Sequence, residues 1–180
     1  QQRAIDAWFD AGGQGVFSMA TGSGKTITAL ATAESLYRHV GGPLVIIIVA
    51  PYLNLVDQWI DEARKFGLSP INCSGANASW VPIVETAIFL NQTGQRPILS
   101  LVTTNTTFSF EPFQRMLDRL AVRTLLIADE VHNVGARHLR RKLPERISLR
   151  LGLSATPTRW MDAEGSQAVE DYFGKTVLNF

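Results

Sequence analysis

Ala20-Thr21-Gly22-Ser23-Gly24-Lys25-Thr26 is the stretch on which the fold of this chain turns. A short run that reads as a strand, residues 15–19 (GVFSM), precedes it. A helical stretch, residues 26–40, follows, with Ile27, Leu30, Ala33, Tyr37 and Val40 at helical spacing. Small loop residues let several backbone N–H groups turn toward one anion, and the next helix presents its positive end to the same place. Lys25 adds a mobile charge and Thr26 a hydroxyl suited to a hard divalent cation. That combination fits a nucleoside triphosphate with Mg²⁺. The strict pattern G-x-x-x-x-G-K-[ST] would put its first glycine at Met19, where this chain departs from it. A flexible Gly/Ser loop before Lys-Thr is the competing reading, and the strand before and helix after argue against it.

Outward from the loop, apolar runs alternate with amphipathic stretches. Leu44–Ala50 (LVIIIVA) is continuous, as expected of a strand buried on both faces of a parallel sheet. Pro51 is expected to open a helix whose Val56, Trp59, Ile60, Ala63 and Phe66 share one face. Residues 71–73, 98–103, 123–128 and 149–153 read as further strands, and 81–91 and 112–120 as helices. The alternation predicts an α/β fold, a parallel sheet with helices on both faces. Ligands of such folds sit at the carboxyl ends of the strands.

The polar motifs fall at those ends. Asp129-Glu130-Val131-His132 closes the run 123–128. One carboxylate there can hold Mg²⁺ and the other can orient or deprotonate an attacking water. Two acids after a strand also suit a solvated turn, so their weight comes from being paired with the phosphate loop. Ser154-Ala155-Thr156-Pro157 closes the run 149–153.

ATGSGKT at 20–26, DEVH at 129–132 and SATP at 154–157, in that order, resemble the first RecA-like lobe of superfamily-two helicases and translocases. The DEAD/DEAH-like group with the motor subunits of restriction enzymes is the nearest match, and its A-x-x-G-x-G-K-T loop accounts for Met19. The resemblance implies an ATP hydrolase working on nucleic acid, DNA before RNA, with ATP and Mg²⁺ as cofactors. It implies that Thr21, Gly22, Ser23, Gly24, Lys25 and Thr26 hold the phosphates. Gln1 resembles an adenine-reading glutamine. Thr26 and Asp129 serve the metal, while Glu130 and Lys25 serve the chemistry. Ser154, Thr156 and His132 couple nucleotide state to the track. VAPYLNLVDQW at 49–59 resembles a strand-contacting motif, giving Pro51 and Tyr52 as contacts, with Tyr52 where many members carry Thr. Thr103-Thr104-Asn105 resembles another, through Thr104. Gln58 and Trp59 match the motif, but core packing is the expected role of Trp59.

The rest of the chain narrows the class. It has 180 residues, enough for one domain, and a net charge of +1, which excludes a uniformly basic coat. The longest apolar run has seven residues, against about twenty for a bilayer span, so no membrane partner is expected. The lone Cys73 cannot form an internal disulfide, which favours a reducing, intracellular setting such as the cytoplasm. It is expected to pack as a small hydrophobe. His39 and His138 lack metal spacing with any cysteine, so no zinc site is expected. Residues 137–150 hold six basic side chains and one acid. They read either as phosphate contacts or, preferably, as a solvated helix face, since no aromatic interleaves them. A chain opening on Gln1 and ending at Phe180 is read as a fragment, residues 1–180 forming a single N-terminal ATP-binding domain of a longer protein. Its partners are then nucleic acid and a second RecA-like lobe, which would supply the arginine that phosphoryl transfer needs. Arg159, on the same lobe, is not expected to play that part. The alternative function is an ATP-dependent switch or assembly module that does not translocate. A small-molecule kinase is disfavoured, because nothing resembles an acceptor lid.

Overall fold

The computed structural model describes residues 1–20, 22–75, 78–156 and 162–179. In chain order the elements are α1 (Gln2–Asp10), β1 (Gln14–Ser18), α2 (Lys25–Val40), β2 (Leu44–Ala50), α3 (Leu53–Lys65) and β3 (Ile71–Asn72). Then come α4 (Val81–Gln92), β4 (Ile98–Thr104), α5 (Asn105–Phe108), α6 (Glu111–Asp118), β5 (Arg123–Ala128) and a 3-10 turn, Val131–Gly135. Last are α7 (Arg137–Arg140), β6 (Leu149–Ser154), α8 (Ala163–Phe173) and β7 (Thr176–Asn179).

The described strands form one seven-stranded sheet in the order β3-β4-β2-β5-β6-β1-β7. Every pairing in it is parallel. β2 shows why an unbroken apolar run is needed at the centre. Val45, Ile47 and Val49 enter a core with Trp80, which caps α4, Val84 of α4 and Phe113 of α6. Leu44, Ile46, Ile48 and Ala50 enter a second core with Trp8, Leu30 and Trp59 from α1, α2 and α3. Each such side chain contributes roughly 1.5–3 kcal/mol when fully buried, so β2 anchors both layers.

The register carries the fold into function. Ser18 lies beside Ser154, Ala128 beside Gly152, Val49 beside Ala128, and Ala50 beside Thr104. The carboxyl ends of five strands therefore line one edge. Gly152 in β6 is there for closeness. A Cβ on it would meet Val131 Cγ2 at 2.9 Å and Val16 Cγ2 at 3.1 Å.

Several elements differ from expectation. Pro51 does not open α3: Tyr52 takes extended backbone (φ −136°) and the helix starts at Leu53. α5 was not anticipated, and its four residues carry no helical period. Nor were α8 and β7. β7 is an edge strand with no buried residue, so it lacks the apolar run that marks the inner strands. Met19 falls just past β1 and Cys73 just past β3; burial pushes the Cys73 thiol up to about 12.

Residues 137–150 are not one helix face. α7 has four residues, and much of the remaining charge is spent internally. Arg140 reaches Glu164 at 3.6 Å and Arg146 reaches Asp118 at 3.7 Å. Arg150 stacks 3.9 Å over the Tyr172 ring and donates to the carbonyls of Glu145, Ile147 and Tyr172. Arg146 and Arg150 also sit at the amino end of β6, the edge opposite the polar motifs.

Candidate nucleotide site and strand-end network

Two backbone devices build the site. Gly22 and Gly24 adopt φ of 79° and 89°, left-handed conformations that other residues rarely take. Gly24 is the N-cap of α2, so the loop turns its backbone over the positive end of that helix. At the end of β5, Glu130 itself has φ 44°. A left-handed glutamate stores strain, and three hydrogen bonds hold it. Its N–H donates to Asp129 Oδ1 at 2.9 Å, and its carbonyl accepts from Asn133 N and Nδ2 at 2.9 and 3.2 Å.

These devices face each other across a cleft of about 310 Å³ lined by Gly22, Gly24, Lys25, Thr26, Asp129 and Glu130, closed on one side by α3. The Lys25 side chain is only 12% exposed. The ammonium folds back to donate to the Met19 carbonyl at 3.1 Å, and lies 4.0 Å from Glu130 Oε1. Asp129 is buried, and burial raises its carboxyl above the ordinary range. Hydrogen bonds from Trp59 and the Glu130 N–H oppose that rise.

From Glu130 a polar chain crosses to β6. Ser154 Oγ lies 3.4 Å from Glu130 Oε2 and 3.0 Å from His132 Nδ1, and it accepts from Thr156 N at 3.1 Å. His132 Nδ1 is 3.5 Å from the same glutamate oxygen. Four of the five residues picked from DEVH and SATP, Glu130, His132, Ser154 and Thr156, are thus brought together.

Other expected residues are not. Gln1 is exposed at the start of α1, outside the cleft lining. Thr21, Pro157 and Arg159 lie outside the described residues. Tyr52 is 64% exposed beyond β2. Thr104 is buried, and its hydroxyl caps α5, accepting from Thr107 N at 3.2 Å. Thr103 donates to the Cys73 carbonyl at 3.1 Å. Both hydroxyls of that motif make hydrogen bonds inside the lobe.

Trp59 is the residue whose role was missed. It packs in the core as expected, but its Nε1 also donates to Asp129 Oδ2 at 2.9 Å. A buried indole needs a partner for its N–H, and that was the available signal.

The cleft also suits a hard cation. Thr26 and Asp129 provide oxygen donors, and the described residues contain no cluster of three or more His, Cys, Asp or Glu that could hold a metal alone. Mg²⁺ is commonly held that way, by one or two protein oxygens plus substrate phosphates and water.

Fold and cleft together define a RecA-like P-loop lobe. The family model described as "Type III restriction enzyme, res subunit" matches residues 1–159, and the chain belongs to that family. It is 29% identical over 153 residues to a Rad25 protein of Haloarcula marismortui, assigned as a DNA 3'-5' helicase. A counterpart in Halobacterium salinarum is 28% identical over 172 residues. These matches cover 84% and 91% of this chain but only 21% and 24% of the relatives, so the chain spans about a fifth to a quarter of their length. Among solved structures, the Type ISP restriction-modification enzyme LlaGI, in complex with a DNA substrate mimic, superposes with TM-score 0.75 at 18% identity. That match covers 99% of this chain and 19% of LlaGI. The UvsW helicase of bacteriophage T4 superposes with TM-score 0.64 at 19% identity, over 98% of this chain and 58% of UvsW.

Proposed function

We propose that this lobe binds Mg-ATP and hydrolyses it as one half of a motor that moves on DNA. The observation that carries the reading is the unbroken polar chain from Lys25 through Glu130 to Ser154, His132 and Thr156. It joins the phosphate loop to the end of β6, as an engine coupled to a track requires.

The loop N–H groups and Lys25 hold the outer phosphates, and Thr26 and Asp129 hold Mg²⁺. Bound there, Mg²⁺ withdraws charge from the phosphate oxygens. Glu130 orients a water for in-line attack and takes its proton as the new P–O bond forms and the bond to the departing ADP breaks. Its left-handed backbone aims the carboxylate, and the Lys25 ammonium lies 4.0 Å from it. An arginine from a second RecA-like lobe completes the charge stabilisation. Pro51 and Tyr52 meet the nucleic acid beyond β2. The relatives' greater length and the DNA bound by LlaGI support the choice of a two-lobe DNA motor.

The test is phosphate release by the intact protein with and without single-stranded DNA, duplex DNA and RNA. DNA is expected to stimulate turnover several-fold. Turnover indifferent to all three would point instead to a switch that does not translocate.

A further inference from the structure

Trp59 makes a contact that packing does not require. The residue is 1% exposed, and Asp129 is 8% exposed. A phenylalanine or leucine would fill the same core without bringing a polar atom that must be satisfied. The indole instead spends its N–H on Asp129 Oδ2 at 2.9 Å, while the Glu130 N–H takes Oδ1 at 2.9 Å. Two donors, one on each oxygen, stop the carboxylate from rotating. Each oxygen keeps a further acceptor site for another ligand. One donor belongs to β5's own turn. The other belongs to α3, the helix that begins one residue after the exposed Tyr52 and walls the cleft with Leu55, Gln58 and Glu62.

We infer that Trp59 is a positioning residue for the metal site: its N–H fixes the Asp129 carboxylate in the orientation that receives Mg²⁺, so α3 carries part of that site. This rests on the reading of Asp129 as the metal carboxylate. Outer partners of this kind commonly matter about 10- to 100-fold in metal affinity.

The experiment is equilibrium binding of a fluorescent ADP analogue to the intact protein, in Mg²⁺ and in excess EDTA, for wild type, Trp59→Phe and Asp129→Asn. The readout is the ratio of the two affinities. Trp59→Phe is expected to lower the ratio about 10- to 100-fold through the Mg²⁺ arm, leaving the EDTA arm unchanged. Should the Phe variant not fold, the benzothiophene isostere of tryptophan at 59 keeps the shape and removes only the N–H. A wild-type ratio in the variant overturns the inference. So does an equal loss in both arms, which would make Trp59 a matter of cleft shape. A wild-type ratio in Asp129→Asn overturns the metal reading of Asp129 itself, and the role of Trp59 with it.

Discussion

Two groups of strand ends share one edge of the sheet and are built differently. Over β1, β5 and β6, polar side chains reach one another: Lys25, Glu130, His132 and Ser154 form one network across three strands. Over β2 and β4, the two threonines at the end of β4 turn inward to cap and brace, and Tyr52 and Leu53 stand out after β2. The first group is a network of side chains held at fixed spacing. The second presents a surface whose hydroxyls are already used. Chemistry on phosphate needs charges held at fixed spacing, whereas a track needs a shape to run along.

The sharpest break of this contrast lies at Glu130. Glu130→Gln keeps the backbone turn and removes the base, so turnover is expected to fall about 10²- to 10⁴-fold while Mg-ATP binding persists. Phosphate release set beside nucleotide titration checks it, and wild-type turnover would remove Glu130 from the chemistry. Lys25→Ala comes next. It should weaken nucleotide affinity roughly 10- to 100-fold by loss of a charge-assisted contact. Because the ammonium also bonds the Met19 carbonyl, the empty protein should lose about 1 kcal/mol of stability, read from denaturant unfolding. On the other side of the comparison, Tyr52→Ala and Thr104→Ala should separate cleanly. Removing an exposed ring is expected to weaken single-stranded DNA binding about tenfold, if it stacks on a base, at no cost in stability. Removing the cap should cost about 1 kcal/mol of stability with DNA affinity unchanged. Reversed outcomes would mean that Thr104 faces the track after all.

The same contrast decides what could be read in the residues beforehand. The parallel sheet was legible because β2 needs apolar side chains on both faces, and no amphipathic strand looks like LVIIIVA. The gathering of Lys25, Asp129, Glu130 and Ser154 at one edge was legible because they stand at or just after the ends of strands. β7 was not, since a four-residue edge strand that buries no side chain completely leaves too short an apolar run to read. The cap made by Thr104 was not legible, because a hydroxyl that caps a helix and one that meets a phosphate are the same residue type. The hydrogen bond from Trp59 joins residues seventy positions apart, and only the pairing of β2 with β5 brings α3 over Asp129.

Gly152 shows how little material sets the height of the turn that carries Glu130. Val131, between Glu130 and His132, rests on the space where a side chain at 152 would be. The missing methyl is a clearance, as between a shaft and its bearing. A single carbon added there would act as a shim, tilting Glu130 and His132 together without touching an atom of either. A chain so altered would keep every polar side chain of the network and fail by misalignment where other variants fail by omission.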